Sequence, residues 1–163
     1  MLYSGTANVD RMFCLKDSDE RAWEELPPLP EEGFGLAASD VGMVYFYTGM
    51  YMGPLELVVE VLNDPPSTVD EGWEDIEEVS VQTYSDTVQV LTGAEDVIPG
   101  FPETVLSRGA GSYRVRAYAT GRDRMWDLVT EEPVERYKVQ IWPAPFRMPS
   151  IIQHQSVHAV MGR

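Results

Sequence analysis

Two histidines, His154 and His158, stand four residues apart near the end of the sequence. On a helix that spacing would set both imidazoles on one side, where they could bind a metal ion or trade a proton near neutral pH. No cysteine, aspartate or glutamate lies between 143 and 163, and Ile151, Ile152 and Val157 suit extended chain as well as helix. The pair alone does not make a metal site. Cys14 alternates with Phe13 and Leu15 as a small buried strand residue would, and no G-x-S-x-G elbow presents a serine. Gly109-Ala110-Gly111-Ser112 lacks the glycine spacing and the lysine of a phosphate loop and runs into a strand pattern, so it reads as a turn. The sequence predicts a non-catalytic chain without a cofactor or a metal.

Carboxylates are the abundant reactive group: 27 Asp and Glu against 12 Lys and Arg give a formal net charge of −15. Between Arg21 and Arg108 the sequence holds 18 acidic residues and no basic one, whereas residues 108–163 hold nine basic residues against five acidic. The densest run is Asp64, Asp70, Glu71, Glu74, Asp75, Glu77 and Glu78. With so many acids, some pair reaches a glycosidase-like separation by chance, and the run lacks the ordered spacing of a calcium loop. Two readings stay open: a solvated loop, or a surface for a partner made by Asp70, Glu71, Glu74, Asp75, Glu77 and Glu78. Acids gathered on one face would repel nucleic acid and attract a basic protein.

Those residues must be positioned by strands, because apolar and polar residues alternate at period two. Val9, Arg11, Phe13 and Leu15 share one side of a first strand, with Asp10, Met12 and Cys14 on the other. Ser18 to Leu26 suits a short helix. Pro27, Pro28 and Pro30 amid Glu24, Glu25, Glu31 and Glu32 then break any regular element. Val41–Tyr47 and Leu55–Leu62, split by Gly49, Gly53 and Pro54, predict a hairpin, and Val79–Tyr84 with Val88–Val90 predicts a second. Tyr45, Phe46, Tyr47 and Tyr51 with Met43, Met50 and Met52 read chiefly as core, with an exposed binding surface as the alternative. Residues 113–119 and 136–141 give the clearest alternation, each with a basic outer face carrying Arg114, Arg116, Arg136 and Lys138. Thr120 to Glu135 reads as a polar, mobile connection.

These patterns predict an all-β protein: an antiparallel two-layer sandwich of seven to nine strands with at most one or two short helices. The length suits one domain over residues 1–145. Residues 146–163, with Ile151, Ile152, Val157, Val160 and Met161, form an extension that docks on the body or reaches a second copy. A single cysteine excludes an internal disulfide. Neither a secretory signal nor an apolar run of about 18 residues is present, so the expected location is cytoplasmic, with no membrane contact.

Gly111-Ser-Tyr-Arg-Val-Arg116, Gly121-Arg-Asp123 and Glu135-Arg-Tyr-Lys-Val-Gln-Ile-Trp-Pro-Ala-Pro145 resemble the closing motifs of an uncharacterised actinobacterial β-sandwich family. Asp70-Glu-Gly-Trp-Glu-Asp-Ile-Glu-Glu78 resembles that family's acidic glycine-tryptophan segment. The resemblance covers residues 8–145. That family is distantly similar to a competence-associated nuclease inhibitor, a small β protein that blocks an enzyme and catalyses nothing. The resemblance implies an inhibitor or immunity-type antagonist whose carboxylates compete for the basic groove of a nuclease. The alternative is a structural or assembly protein, of a phage or a homo-oligomer, that binds copies of itself through its C-terminal arm.

Overall fold

Burial alternates at period two along residues 6–10 and 55–61, whereas residues 75–81 and 113–119 are buried on both faces. The computed structural model describes residues 1–28 and 34–158, so Pro30, Glu31, Glu32, Val160 and Met161 lie outside the described residues. The elements are β1 (Leu2–Asp17), α1 (Ala22–Glu25), β2 (Ala37–Asp40), β3 (Met43–Val61), β4 (Asp75–Gln82), β5 (Thr87–Thr92), β6 (Thr104–Val105), β7 (Ser112–Thr120), β8 (Arg136–Pro143) and β9 (Ser150–His154). The all-β class is as the sequence predicts. The strands hydrogen-bond into one continuous sheet of order β6-β5-β1-β3-β8-β7-β4-β9, with β2 also on β3. All pairings are antiparallel except β3 with β8.

Two long strands make this continuity possible. Residues 2–10 of β1 pair with residues 52–60 of β3, and residues 12–16 of β1 pair with residues 43–47 of β3. The register slips between them at Arg11, whose φ of 63° is left-handed. This bulge turns Arg11 out of the core side that alternation assigned to it, and its guanidinium lies 4.3 Å from the Tyr51 ring. Val9, Phe13 and Leu15 stay inside with Phe46, Leu57, Val90, Val115 and Val139 in one apolar cluster. Phe13 stacks on Phe46 at 4.9 Å and meets Tyr137 edge-on at 5.3 Å.

Five expectations are corrected. Val41–Tyr47 and Leu55–Leu62 do not form a hairpin: Met43–Tyr47 and Leu55–Val61 belong to the single strand β3. Gly49 and Gly53 mark close crossings there. A Cβ on Gly49 would lie 2.0 Å from the Arg122 carbonyl oxygen, and one on Gly53 would lie 2.2 Å from Thr130 Oγ1. The segment from Gly121 to Glu135 is therefore held, with N–H groups of Asp127 and Thr130 bonded to the carbonyls of Gly49 and Met52.

β4 and β5 do not pair with each other: β4 lies between β7 and β9, and β5 lies on β1. The chain crosses between them through Tyr84 and Ser85, whose N–H groups both donate to the buried Asp17 carboxylate. The basic outer face of β7 is covered. Arg114, 1% exposed, lies beneath the chain that leads into β9, and Arg116, 8% exposed, donates to the Thr68 carbonyl. The Ser18–Leu26 helix shrinks to one turn at Ala22–Glu25. In the Met- and aromatic-rich part of β3, Met43, Phe46 and Met50 are core, whereas Met52 is 43% exposed.

Candidate protein-binding face

The six acids expected to meet a partner are divided between interior and surface. Asp75 and Glu77 are fully buried and Glu78 is nearly so; Asp70 and Glu74 are half-buried; Glu71 is exposed. Asp75 accepts from Ser156 Oγ at 2.6 Å, from the N–H groups of Gln155 and Ser156 at 3.1 Å, and from Arg122 at 3.3 Å. Glu77 accepts from the N–H groups of Leu36 and Ala37 and faces His154 Nε2 at 2.6 Å. Glu78 is forked between Arg114 Nε at 3.0 Å and Arg116 Nε at 2.8 Å. These three carboxylates hold β2, β7 and the C-terminal segment onto β4, and an acid without exposed surface presents no charge to a partner.

On the rim of the same region, Glu74 accepts from Thr120 Oγ1 and the Gly121 N–H. Asp70 pairs with Lys138 Nζ at 2.6 Å. Burial acts to lower the Lys138 ammonium, but its bond to Asp70 and the nearby Glu60 hold it above the ordinary lysine range. The histidines are parted too: His154 faces Glu77, while His158 stacks on Trp126 at 3.6 Å and faces Asp123. Among the described residues, no three His, Cys, Asp or Glu side chains gather as a metal ion would require.

The open surface lies elsewhere, on the outer face of the first half of β1 and the second half of β3. The alternation that buries Ala7, Val9, Leu55 and Leu57 turns Ser4, Thr6, Asn8 and Asp10 outward beside Met52, Pro54, Glu56 and Val58. Two adjoining grooves cross it. One, of about 620 Å³, runs over Asn8, Asp10, Met52 and Pro54 between walls formed by Thr92, Ala94 and Asp96 and by Val129, Thr130 and Glu131. The other, of about 360 Å³, runs over Ser4, Thr6, Glu56 and Val58 to a wall made by Trp73 and Arg136. Arg136 lies over the Trp73 ring at 5.3 Å.

Asp10, Asp96 and Glu131 come from three distant stretches of sequence and ring the larger groove. Among the described residues none of the three has a basic partner. Exposed Met52 and Val129 supply apolar surface between them. No run of acids in the sequence marks this cluster. The one signal in the sequence was Gly53-Pro54 in an otherwise regular strand, where another segment crosses closely. The groove thus combines an apolar centre with acids at its border that have no basic partner among the described residues.

No family model matches the chain, and no curated protein matches it significantly. Among solved structures its fold is similar to that described as crocagin biosynthetic gene J, at 13% identity and a TM-score of 0.54 over 89% of this chain and 98% of that one. It is also similar to ComJ, inhibitor of the DNA degrading activity of NucA, from Bacillus subtilis, at 9% identity and a TM-score of 0.51 over 86% of this chain and 95% of that one. The chain thus shares the fold of a nuclease inhibitor, at the distance its sequence implied.

Proposed function

We propose that this chain is a non-catalytic binding protein, an inhibitor or immunity-type antagonist of a protein with a basic surface such as a nuclease. The observation that carries this reading is the outer face of β1 and β3, where Asp10, Asp96 and Glu131 surround exposed Met52 and Val129. The fold shared with ComJ supports it. Unpaired carboxylates at the border of an apolar centre steer a cationic protein and exclude a polyanion. A nuclease groove built to hold phosphates offers that complement. The test is DNA cleavage by a NucA-type nuclease with and without this protein, alongside the triple variant Asp10→Lys, Asp96→Lys, Glu131→Lys. The wild type slows cleavage and binds less tightly as salt rises, whereas the variant does neither. Binding of equal strength by both proteins, at low and high salt, would refute the reading.

A second reading, assembly with copies of itself, rests on β9. This strand ends the sheet and leaves Ile151 47% and Ile152 39% exposed. An oligomer in solution that Ile151→Lys with Ile152→Lys dissociates would favour it; a monomer at all concentrations removes it.

A further inference from the structure

The first half of β1 has one side without a strand. β5 pairs with β1 only over residues 13–17, and β3 takes the other side along the whole length of β1. The Met1 N–H and carbonyl exchange bonds with the carbonyl and N–H of Val61. In an antiparallel ladder this fixes Tyr3, Gly5, Ala7 and Val9 as the residues bonded to β3, and it turns the N–H and C=O groups of Ser4, Thr6 and Asn8 away from it. Among the described residues nothing bonds those outward groups, and all three residues are exposed. An edge of this length is ordinarily guarded by lysine, proline or inward charge. Leu2 to Asn8 contains none of these. The edge runs down to Asp10 and into the larger groove, whose far wall carries Asp96.

We propose that this edge receives an extended, lysine- or arginine-bearing segment of the partner protein as an added antiparallel or parallel strand. Main-chain bonds to Ser4, Thr6 and Asn8 supply affinity, and Asp10 with Asp96 selects basic side chains at one end of the added strand. The charge of that border chooses the occupant: a second copy would bring its own Asp10 and Asp96 to the same edge and be repelled. The proposal rests on the basic-partner reading above and adds the mode of contact.

The probe is a short peptide of alternating lysine and valine, compared with the same peptide N-methylated at every second amide and with a glutamate-valine peptide. Binding is followed by fluorescence anisotropy, and amide exchange at individual residues by NMR. The lysine-valine peptide binds and slows exchange at Ser4, Thr6 and Asn8, whereas Tyr3, Gly5 and Ala7 are already protected by β3. N-methylation weakens binding by roughly tenfold or more, because several main-chain bonds are lost while charge and apolar surface remain. Thr6→Pro does the same; it deletes an outward N–H and no bond to β3, so the sheet tolerates it as an edge position.

Equal binding of the N-methylated peptide, with Ser4, Thr6 and Asn8 still exchanging freely, overturns the edge assignment. The basic-partner reading survives that result if Asp10→Lys with Asp96→Lys still abolishes binding. Equal binding of the lysine and glutamate peptides refutes the basic-partner reading and this occupant with it. A concentration-dependent dimer that Thr6→Pro abolishes replaces the basic segment with a second copy and also overturns the proposal.

Discussion

Replacing Arg114 with alanine tests whether the acidic run of β4 serves the interior. The Arg114 guanidinium is 1% exposed and makes five bonds: to Glu78 at 3.0 Å, Ser80 Oγ at 3.0 Å, the Arg147 carbonyl at 2.9 Å, the Met148 carbonyl at 3.0 Å and Ser150 Oγ at 3.1 Å. Two of its partners belong to β4 and three to the segment leading into β9, so one side chain fastens the C-terminal segment to the sheet. Breaking a buried pair by removing one member costs about 3–5 kcal/mol. Here Glu78 keeps Arg116 at 2.8 Å. The Arg147 carbonyl keeps its bond from Ser80 Oγ at 3.0 Å, and the Met148 carbonyl belongs to an exposed residue that water can reach. Both facts place the loss near the low end, about 3 kcal/mol. At a urea m-value of about 2 kcal/mol/M the midpoint falls by roughly 1.5 M. Arg108→Ala is the control: Arg108 is exposed and 3.7 Å from Asp64, so its loss changes stability by less than about 0.5 kcal/mol. Urea unfolding gives both numbers, and amide exchange along β9 shows whether the segment loosens. A midpoint for Arg114→Ala that matches the Arg108→Ala control, with β9 still protected, would refute the argument.

Three other outcomes follow from the packing. Burial, reinforced by the nearby Glu95 carboxylate, pushes the Cys14 thiol up to about 12, so a thiol reagent at mildly alkaline pH modifies it only after denaturation; rapid labelling of native protein would contradict this. Burial alone would raise the Asp123 carboxyl, but bonds from the Val157 N–H and from His158 bring it below the usual carboxylate range. A depressed acid stabilises while ionised, so its contribution is present above the unfolded value of about 3.9 and is lost as pH falls through the lower folded value. Stability of wild type and Asp123→Asn should converge in that acid window and separate above it; parallel curves would count against the contact. Gly49→Ala drives a Cβ into the Arg122 carbonyl and prevents the native crossing, whereas Gly72→Ala, with φ of 86° and open space around it, costs only about 1 kcal/mol; equal yields of soluble protein from the two would be the wrong outcome.

Strand content was legible because apolar and polar residue types alternate along most of the strands, even where, as in β4 and β7, both faces are buried. Strand partners were not. Gly49, Gly53 and Pro54 look alike whether a chain turns back or another segment passes close by, and only the three-dimensional crossing at Arg122 and Thr130 tells these apart. The bulge at Arg11 was equally hidden, since an unbroken alternation placed that arginine among core residues. Arg114 and Arg116 misled for a related reason. Period two says that two residues share a face, and it cannot say whether that face meets water or other chain, here the segment leading into β9 over Arg114 and the Thr68 carbonyl at Arg116.

Charge along the sequence and charge on the surface part company for the same reason. β4 and β7 are neighbours, so the acid-rich middle of the chain and the arginine-rich last third meet in the sheet, and Glu78 is neutralised by Arg114 and Arg116. Arg122 does likewise for Asp75 on the opposite face of β4. What stays negative is what the topology leaves without a basic neighbour, and Asp10, Asp96 and Glu131 are such residues. Asp10 and Asp96 border the stretch of β1 whose main chain also lacks a partner. Unmatched charge and unmatched hydrogen bonds meet at one place, and it is this coincidence, more than the net charge of −15, that supports the proposed binding face.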